Sequence, residues 1–275
     1  MESTQKILGS VVGLWRYPVK SMMGEELNAA EVAARGLLGD RAYALADNAD
    51  GKIATAKNPL KWPQLFEFRA ALVCAPKAGA PIPPVAITLP DGTIVTSEQA
   101  DANRVLSAAL RREVTLRTAE QARGSVSESA SLDFESEEYG RTVHDFPLPE
   151  GTFFDWGILQ LTTTATIDTL RAAYPQGRIE ARRFRPNLVV RSAENEKGFA
   201  ENAWVGHTIA IGDSVRLSIV KKCERCIMTT LAQGDLPKDP GILRAIAQHN
   251  DVNIGVYATV VKGGVVRRGD TVGLE

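Results

Sequence analysis

Two thiols and a guanidinium lie within four residues at Cys223-Glu224-Arg225-Cys226, directly after a stretch whose apolar residues alternate. The alternation sets Val215, Leu217 and Ile219 against Ser214, Arg216 and Ser218. It predicts a strand with one buried face that delivers the cysteines to its end. Cysteines at this spacing support several chemistries. A redox dithiol places its first cysteine at a helix N-terminus, where the helix end stabilises the thiolate; here a strand precedes the pair. A structural zinc site needs four N or S ligands, and the remaining Cys74, His144, His207 and His249 are not paired in sequence. Two half-buried cysteines can also serve as small apolar residues. The fourth reading is a single thiolate ligand, with Arg225 lowering the pKa of a neighbouring thiol.

The surrounding chain must position that segment. From Lys6 to about Thr118 short β-like runs alternate with turns. Residues 42–45 and 52–55 flank Asp47-Asn48-Ala49-Asp50-Gly51, a hairpin signal. Val105, Leu106, Ala109 and Leu110 at helical spacing predict a helix over about Gln99–Arg112. Between about Glu120 and Glu150 the composition turns to Ser, Glu and Gly, including Asp133, Glu135, Glu137 and Glu138, and reads as a loop or linker. A second β-rich region follows from about Thr152. Gly212-Asp213 and Gly269-Asp270 each sit between alternating runs and predict tight turns in a strongly bent sheet or barrel. Helices are expected over Thr166–Tyr174 and from Asp239-Pro240 to Gln248, the latter with Asp239 as N-cap and Pro240 at the first helical position.

The 275 residues suit one large or two small domains. The net charge is -1, from 32 basic and 33 acidic residues, so no global field recruits nucleic acid or an anionic membrane. Three cysteines make no disulfide framework and favour a reducing compartment. The apolar stretch Ile7–Trp15 is too short for a secretory or membrane segment. The expectation is a soluble, cytoplasmic protein.

The run C-E-R-C-I-M-T-T resembles the C-x-R-C-x-x-T-T signature of the MOSC family, named for the C-terminal domain of molybdenum cofactor sulfurase, and is most similar to its amidoxime-reducing-component and YcbX-like branch. Tyr17-Pro18-Val19-Lys20-Ser21 and Gly36-Leu37-Leu38-Gly39-Asp40-Arg41 resemble the opening of that family's N-terminal β-barrel domain. Thr163-Thr164-Ala165-Thr166-Ile167, Arg183-Phe184-Arg185-Pro186-Asn187, Gly255-Val256-Tyr257 and Val266-Arg267-Arg268-Gly269-Asp270-Thr271-Val272 follow in the family's order, so the resemblance covers nearly the whole chain. It implies an α+β, mostly β fold: an N-terminal β-barrel-like domain over 1–120, then a MOSC β-barrel domain with peripheral helices over 121–275, with 121–151 as loop or linker.

The resemblance also implies a site. The bound group is a molybdenum-molybdopterin, with or without an added nucleotide, and Cys226 is the molybdenum ligand and catalytic centre, Cys223 being a packed thiol. Lys20, Ser21, Arg41, Arg185 and Arg225 match the family's positions around the cofactor phosphate, and a phosphate does need converging cations and hydroxyl donors. Asn187 and Tyr257 match positions near the pterin, and Asp155 begins another family loop. This chain departs from the family at Trp156-Gly157, where small hydroxyl residues are common, and at Glu224, where a small residue is usual.

The implied activity is a molybdenum oxidoreductase that reduces small N-hydroxylated compounds or N-oxides. No iron–sulfur cluster is expected in this chain, since a cluster needs four cysteine thiolates. Electrons are therefore expected from a separate flavin or iron–sulfur protein, with Lys221, Lys222, Arg267 and Arg268 as a basic docking edge. The alternative is a non-catalytic carrier of the cofactor or of sulfur on Cys226. A dithiol oxidoreductase, active without metal, is a third class.

Overall fold

A computed structural model describes residues 6–121, 126–131, 142–194 and 196–275. Its centre is a closed barrel of seven strands. In order around the barrel these are Leu188–Ser192, Leu159–Thr163, Asn253–Lys262, Val215–Glu224, Thr208–Ile211, Thr271–Leu274 and Lys6–Arg16, which pairs back to the first. All pairs are antiparallel except Leu159–Thr163 with Leu188–Ser192, which are joined through helix α2 (Thr164–Ala173) as a parallel pair requires.

The closing strand comes from the far end of the sequence. Lys6–Arg16 lies between Thr271–Leu274 and Leu188–Ser192, with Ser10 opposite both Thr271 and Arg191. A division near residue 120 would assign this strand to the N-terminal unit; its hydrogen bonds place it in the barrel. Gly9 permits the closure, because a Cβ there would stand 1.9 Å from the Arg191 carbonyl oxygen.

Alternation fills the barrel. Val215, Leu217 and Ile219 are buried, as their period of two predicts, and meet Leu14, Leu161, Val190, Ile209, Val256 and Val272. Burying one such side chain contributes about 1.5–3 kcal/mol. Both Gly-Asp pairs form tight turns, with Gly212 at φ 53 and Gly269 at φ 94.

The N-terminal half packs a second core, including Met22, Leu45, Phe66, Phe68, Ile87 and Leu106, under short sheets and helix α1 (Ala102–Leu110). The predicted hairpin forms, with Gly51 N–H donating to the Asp47 carbonyl at 2.8 Å, but its second arm is reduced to the bridge Ala46–Ile53. A third core joins α2 to α3 (Gly241–Asn250). The cap of α3 is Pro240 rather than Asp239; the Asp239 carboxylate instead accepts from the Gly241 N–H at 2.9 Å and from the Tyr174 hydroxyl at 3.0 Å.

The segment 121–151 is not all loop. Ser127–Ser131 and Val143–Pro147 pair as an antiparallel ribbon, although neither carries the β-branched alternation that marks a strand. Asp133, Glu135, Glu137 and Glu138 lie outside the described residues. No helix among the described residues is long and apolar enough to cross a membrane.

Candidate cofactor site around Cys226

The strand Val215–Glu224 ends one residue before Arg225, whose N–H donates to the Val252 carbonyl at 2.8 Å. Cys226 then opens a short 3-10 turn over Ile227–Thr230. The paired threonines of the motif close that turn: Thr229 Oγ1 donates to the Cys226 carbonyl at 3.0 Å, and Thr230 Oγ1 to the Ile227 carbonyl at 2.8 Å. Arg183, wholly buried, clamps it from outside by donating to the carbonyls of Thr229, Leu231 and Pro237 at 3.1–3.2 Å.

The two cysteines have different surroundings. Cys223 is fully buried, and Arg225 Nη1 donates to its sulfur at 2.7 Å, while Nη2 donates to the Phe184 carbonyl at 2.7 Å. Cys226 is half-buried. Burial raises its thiol pKa above the ordinary value, and the positive charges of Lys57 and Arg225 only partly offset that. The expected lowering by Arg225 is therefore outweighed by desolvation, and the guanidinium bonds the other sulfur. Burial of Cys223 also counts against a dithiol reaction, which needs an accessible sulfur. Among the described residues no three His, Cys, Asp or Glu side chains converge as a metal cluster would require.

Two charge clusters flank this turn. In the first, Lys20 Nζ donates to the Phe153 carbonyl at 3.0 Å, pairs with Asp155, and lies 3.0 Å from Glu128 Oε2. Lys57 Nζ pairs with Glu128 Oε1 at 2.8 Å and with Asp155 Oδ2 at 3.0 Å. The result is an alternating ring of two ammonium groups and two carboxylates. Burial acts to raise the Asp155 carboxyl, but Lys20 and Lys57 win and hold it far below the usual range. Lys57 is raised in turn, because Asp155 and Glu128 outweigh its desolvation. Glu128 comes from the ribbon in the supposed linker and is 1% exposed.

The second cluster is a stack on Tyr17. The guanidinium carbons of Arg41 and Arg185 lie 4.6 and 4.2 Å from the centre of that ring. Arg41 pairs with Asp40. Arg185 is 6% exposed, donates from Nη1 to the Met22 carbonyl at 2.7 Å, and has no carboxylate partner among the described residues. Burial, together with the charge of Arg41, lowers its pKa to about 10. Burial raises the Tyr17 hydroxyl to about 12, against the pull of both arginines.

Backbone strain marks the same place. Among the described residues six that are not glycine have positive φ, and Ser21 (62), Arg41 (47) and Arg185 (55) are three of them. A fourth, Val252 (66), holds Arg225; for a β-branched residue this is an outlier. Such residues cost about 1–3 kcal/mol each and cluster at functional sites.

The sequence-predicted residues thus separate. Arg41, Arg185 and Ser21 hold strained backbone at the arginine stack or beside the ring, and Ser21 Oγ accepts from the Ala56 N–H at 3.1 Å. Lys20 and Asp155 gather but neutralise one another. Asn187 has both amide donors engaged, by the Trp15 carbonyl at 3.3 Å and Asp40 Oδ2 at 3.0 Å, and its oxygen accepts from Gln160 N–H at 3.1 Å. It pins strands rather than facing a pterin. Tyr257 is half-buried and its hydroxyl pKa is well raised, by burial and then by the charge of Cys223, against the pull of Arg225. Glu224 is exposed. The basic edge does not form, because Lys221 and Arg267-Arg268 sit at opposite ends of the barrel: Asp270 packs on Gly212 in the turn before Val215, roughly 20 Å from Lys221 at strand rise. Lys57, Glu128 and Tyr17 were missed as site residues. Only Tyr17 gave a signal, by standing in the Y-P-V-K-S run.

Residues 8–121 match the MOSC N-terminal beta barrel domain and residues 158–273 the MOSC domain. The chain belongs to the MOSC family. It is 26% identical over 245 residues to mitochondrial amidoxime reducing component 2 of Homo sapiens, an alignment spanning 82% of this chain and 67% of that protein. The protein of that name from Macaca fascicularis is 27% identical over 248 residues, with the same shares. A solved structure, the YUAD protein from Bacillus subtilis, covers 98% of this chain and 96% of its own at 11% identity and a TM-score of 0.49.

Proposed function

We propose that this chain binds a molybdenum cofactor through Cys226 and Arg185 and reduces small N-hydroxylated compounds or N-oxides with electrons from a separate flavin or iron–sulfur protein. The observation that carries the reading is Arg185: a cation 6% exposed, unmatched by any carboxylate among the described residues, on strained backbone directly after Phe184, whose carbonyl accepts from Arg225 of the cysteine motif. A buried unpaired charge costs several kcal/mol. Such a group persists where a ligand supplies the opposite charge.

The residues present fit that ligand. Arg185 and Arg41 suit a phosphate, which guanidinium groups meet with paired donors. Among the described residues the buried Nε of Arg225 has no hydrogen-bond acceptor, so a ligand can supply one. Cys226 offers one soft thiolate, and metal binding is what would deprotonate a thiol held neutral by burial. When bound, the cofactor supplies the two-electron chemistry. In the net reaction the N–O bond breaks, two electrons and two protons enter, and the oxygen leaves as water; an N-hydroxylated nitrogen ends with one new N–H bond, whereas an N-oxide, whose oxygen takes both protons, returns the free amine. The chain itself holds and orients the reacting group and limits water around Cys226.

The test is metal and pterin analysis of protein purified from a cofactor-producing host, with benzamidoxime reduction assayed using a dithionite-reduced dye. The expected outcome is stoichiometric molybdenum, turnover with the dye, and none with NADH alone. Loaded protein without turnover would favour the carrier reading; turnover without metal would favour the dithiol.

A further inference from the structure

Directly after Asp155 of the ion-pair ring the chain carries an exposed indole. Trp156 is 57% exposed, whereas Trp62 and Trp204 are 4% and 5% exposed. It follows Asp155, a member of the ion-pair ring, and its ring centre lies 5.7 Å from that of Tyr257, tilted by 39°. Tyr257 pairs across the sheet with Lys221, on the strand that runs on to Cys223. The indole therefore sits beside the strand that leads into the Cys226 turn.

Its placement is enforced. A Cβ on Gly157 would stand 2.2 Å from the Tyr257 ring, so only glycine lets the backbone after Trp156 lie flat against that tyrosine. One face of the indole is covered by a single flexible group, the Lys221 ammonium, 3.7 Å from the ring centre. The half-buried Lys221 stays partly hydrated, so its ammonium is held over the aromatic face only weakly. A planar aromatic ring stacked on the same face buries more apolar area and binds more strongly than the ammonium it displaces.

We propose that Trp156 is a specificity-determining residue that stacks the flat aromatic portion of a substrate, with Lys221 as the displaceable cover of that face. The proposal rests on the reductase reading above. It commits to planar aromatic N-hydroxylated substrates over saturated ones of equal size.

The experiment compares benzamidoxime with cyclohexanecarboxamidoxime, which share the reacting group and differ in the flatness of the ring. In wild-type protein, benzamidoxime should quench the tryptophan fluorescence saturably, and most of the quench should be lost in Trp156→Phe, since Trp62 and Trp204 are buried and Trp15 is half-buried. In steady-state assays Trp156→Ala should lower kcat/KM for benzamidoxime about two- to tenfold through KM and change the cyclohexane compound less than twofold. Trp156→Phe should restore most of the preference. Lys221→Ala, by baring the face, should tighten the benzamidoxime quench about two- to fivefold in the Trp156 protein. Equal losses on both compounds in Trp156→Ala, or no saturable quench in wild type, would overturn the proposal while leaving the reductase reading intact. Saturable, Trp156-dependent quenching with no reduction of either compound by molybdenum-loaded protein would keep the stacking site and discard the reductase reading.

Discussion

The ion-pair ring, whose Lys57 and Asp155 charges act on Cys226, and the arginine stack are built on opposite plans. The ring matches two ammonium groups with two carboxylates, so its charge balances without a ligand. The stack sets two guanidinium groups on one tyrosine with a single carboxylate between them, leaving Arg185 unmatched. A matched cluster ties chain segments together: here the Lys20 turn, the Lys57 turn, the ribbon strand Ser127–Ser131 and the Phe153–Asp155 loop. An unmatched one is costly alone and useful to a ligand. Removing charge from the two should therefore have opposite consequences.

The largest effect is expected at the ring. Glu128→Ala leaves two ammonium groups facing one carboxylate at a site that is 1% exposed, and should destabilise the protein by about 3–5 kcal/mol, the usual cost of breaking a buried pair. Urea unfolding measures it, and a loss comparable to an exposed pair would break the contrast.

Arg185→Met should do the reverse. With no carboxylate left behind and only the Met22 carbonyl losing a donor, the cofactor-free protein should stay within about 1 kcal/mol of wild type, while retention of molybdenum and pterin through dialysis weakens by about 1–3 kcal/mol. A variant that unfolds and still keeps its cofactor would invert the assignment of the two clusters.

The smallest effect is in acid. Asp155 has its folded pKa depressed below the unfolded 3.8, so its contribution is present above that value and is lost as pH falls through and below it. Its side chain is 39% exposed, which keeps the effect modest through solvent screening. Wild type should lose urea resistance between about pH 5 and 3 more steeply than Asp155→Asn; identical slopes would remove Asp155 from the matched ring.

Much of this was legible in the sequence where the signal is local. The period of two from Val215 to Ile219, the Gly-Asp turns and the three helices are written in adjacent residues, and each formed close to its expected place. Long-range pairing is not local. Nothing in Lys6–Arg16 says that it closes a barrel with Leu188–Ser192, and Ser127–Ser131 becomes a strand only because Val143–Pro147 lies beside it. Glu128 was invisible for the same reason, since a lone glutamate among serines reads as solvated surface until Lys20 and Lys57 surround it. The motif positions were found by resemblance, but their division into matched and unmatched charge required geometry: Lys20 met carboxylates and Asn187 had its amide fully engaged, whereas Arg185 found a carbonyl and no carboxylate.

The central claim is that Cys226, not Cys223, holds the metal, and molybdenum content per chain tests it most directly. Cys226→Ser and Cys223→Ser should be purified from the same cofactor-producing host as wild type and analysed together. A serine hydroxyl at 223 can still accept from Arg225, so Cys223→Ser should keep most of its molybdenum, whereas Cys226→Ser should lose nearly all of it while remaining folded. Equal loss from both, or full molybdenum in Cys226→Ser, would contradict the account.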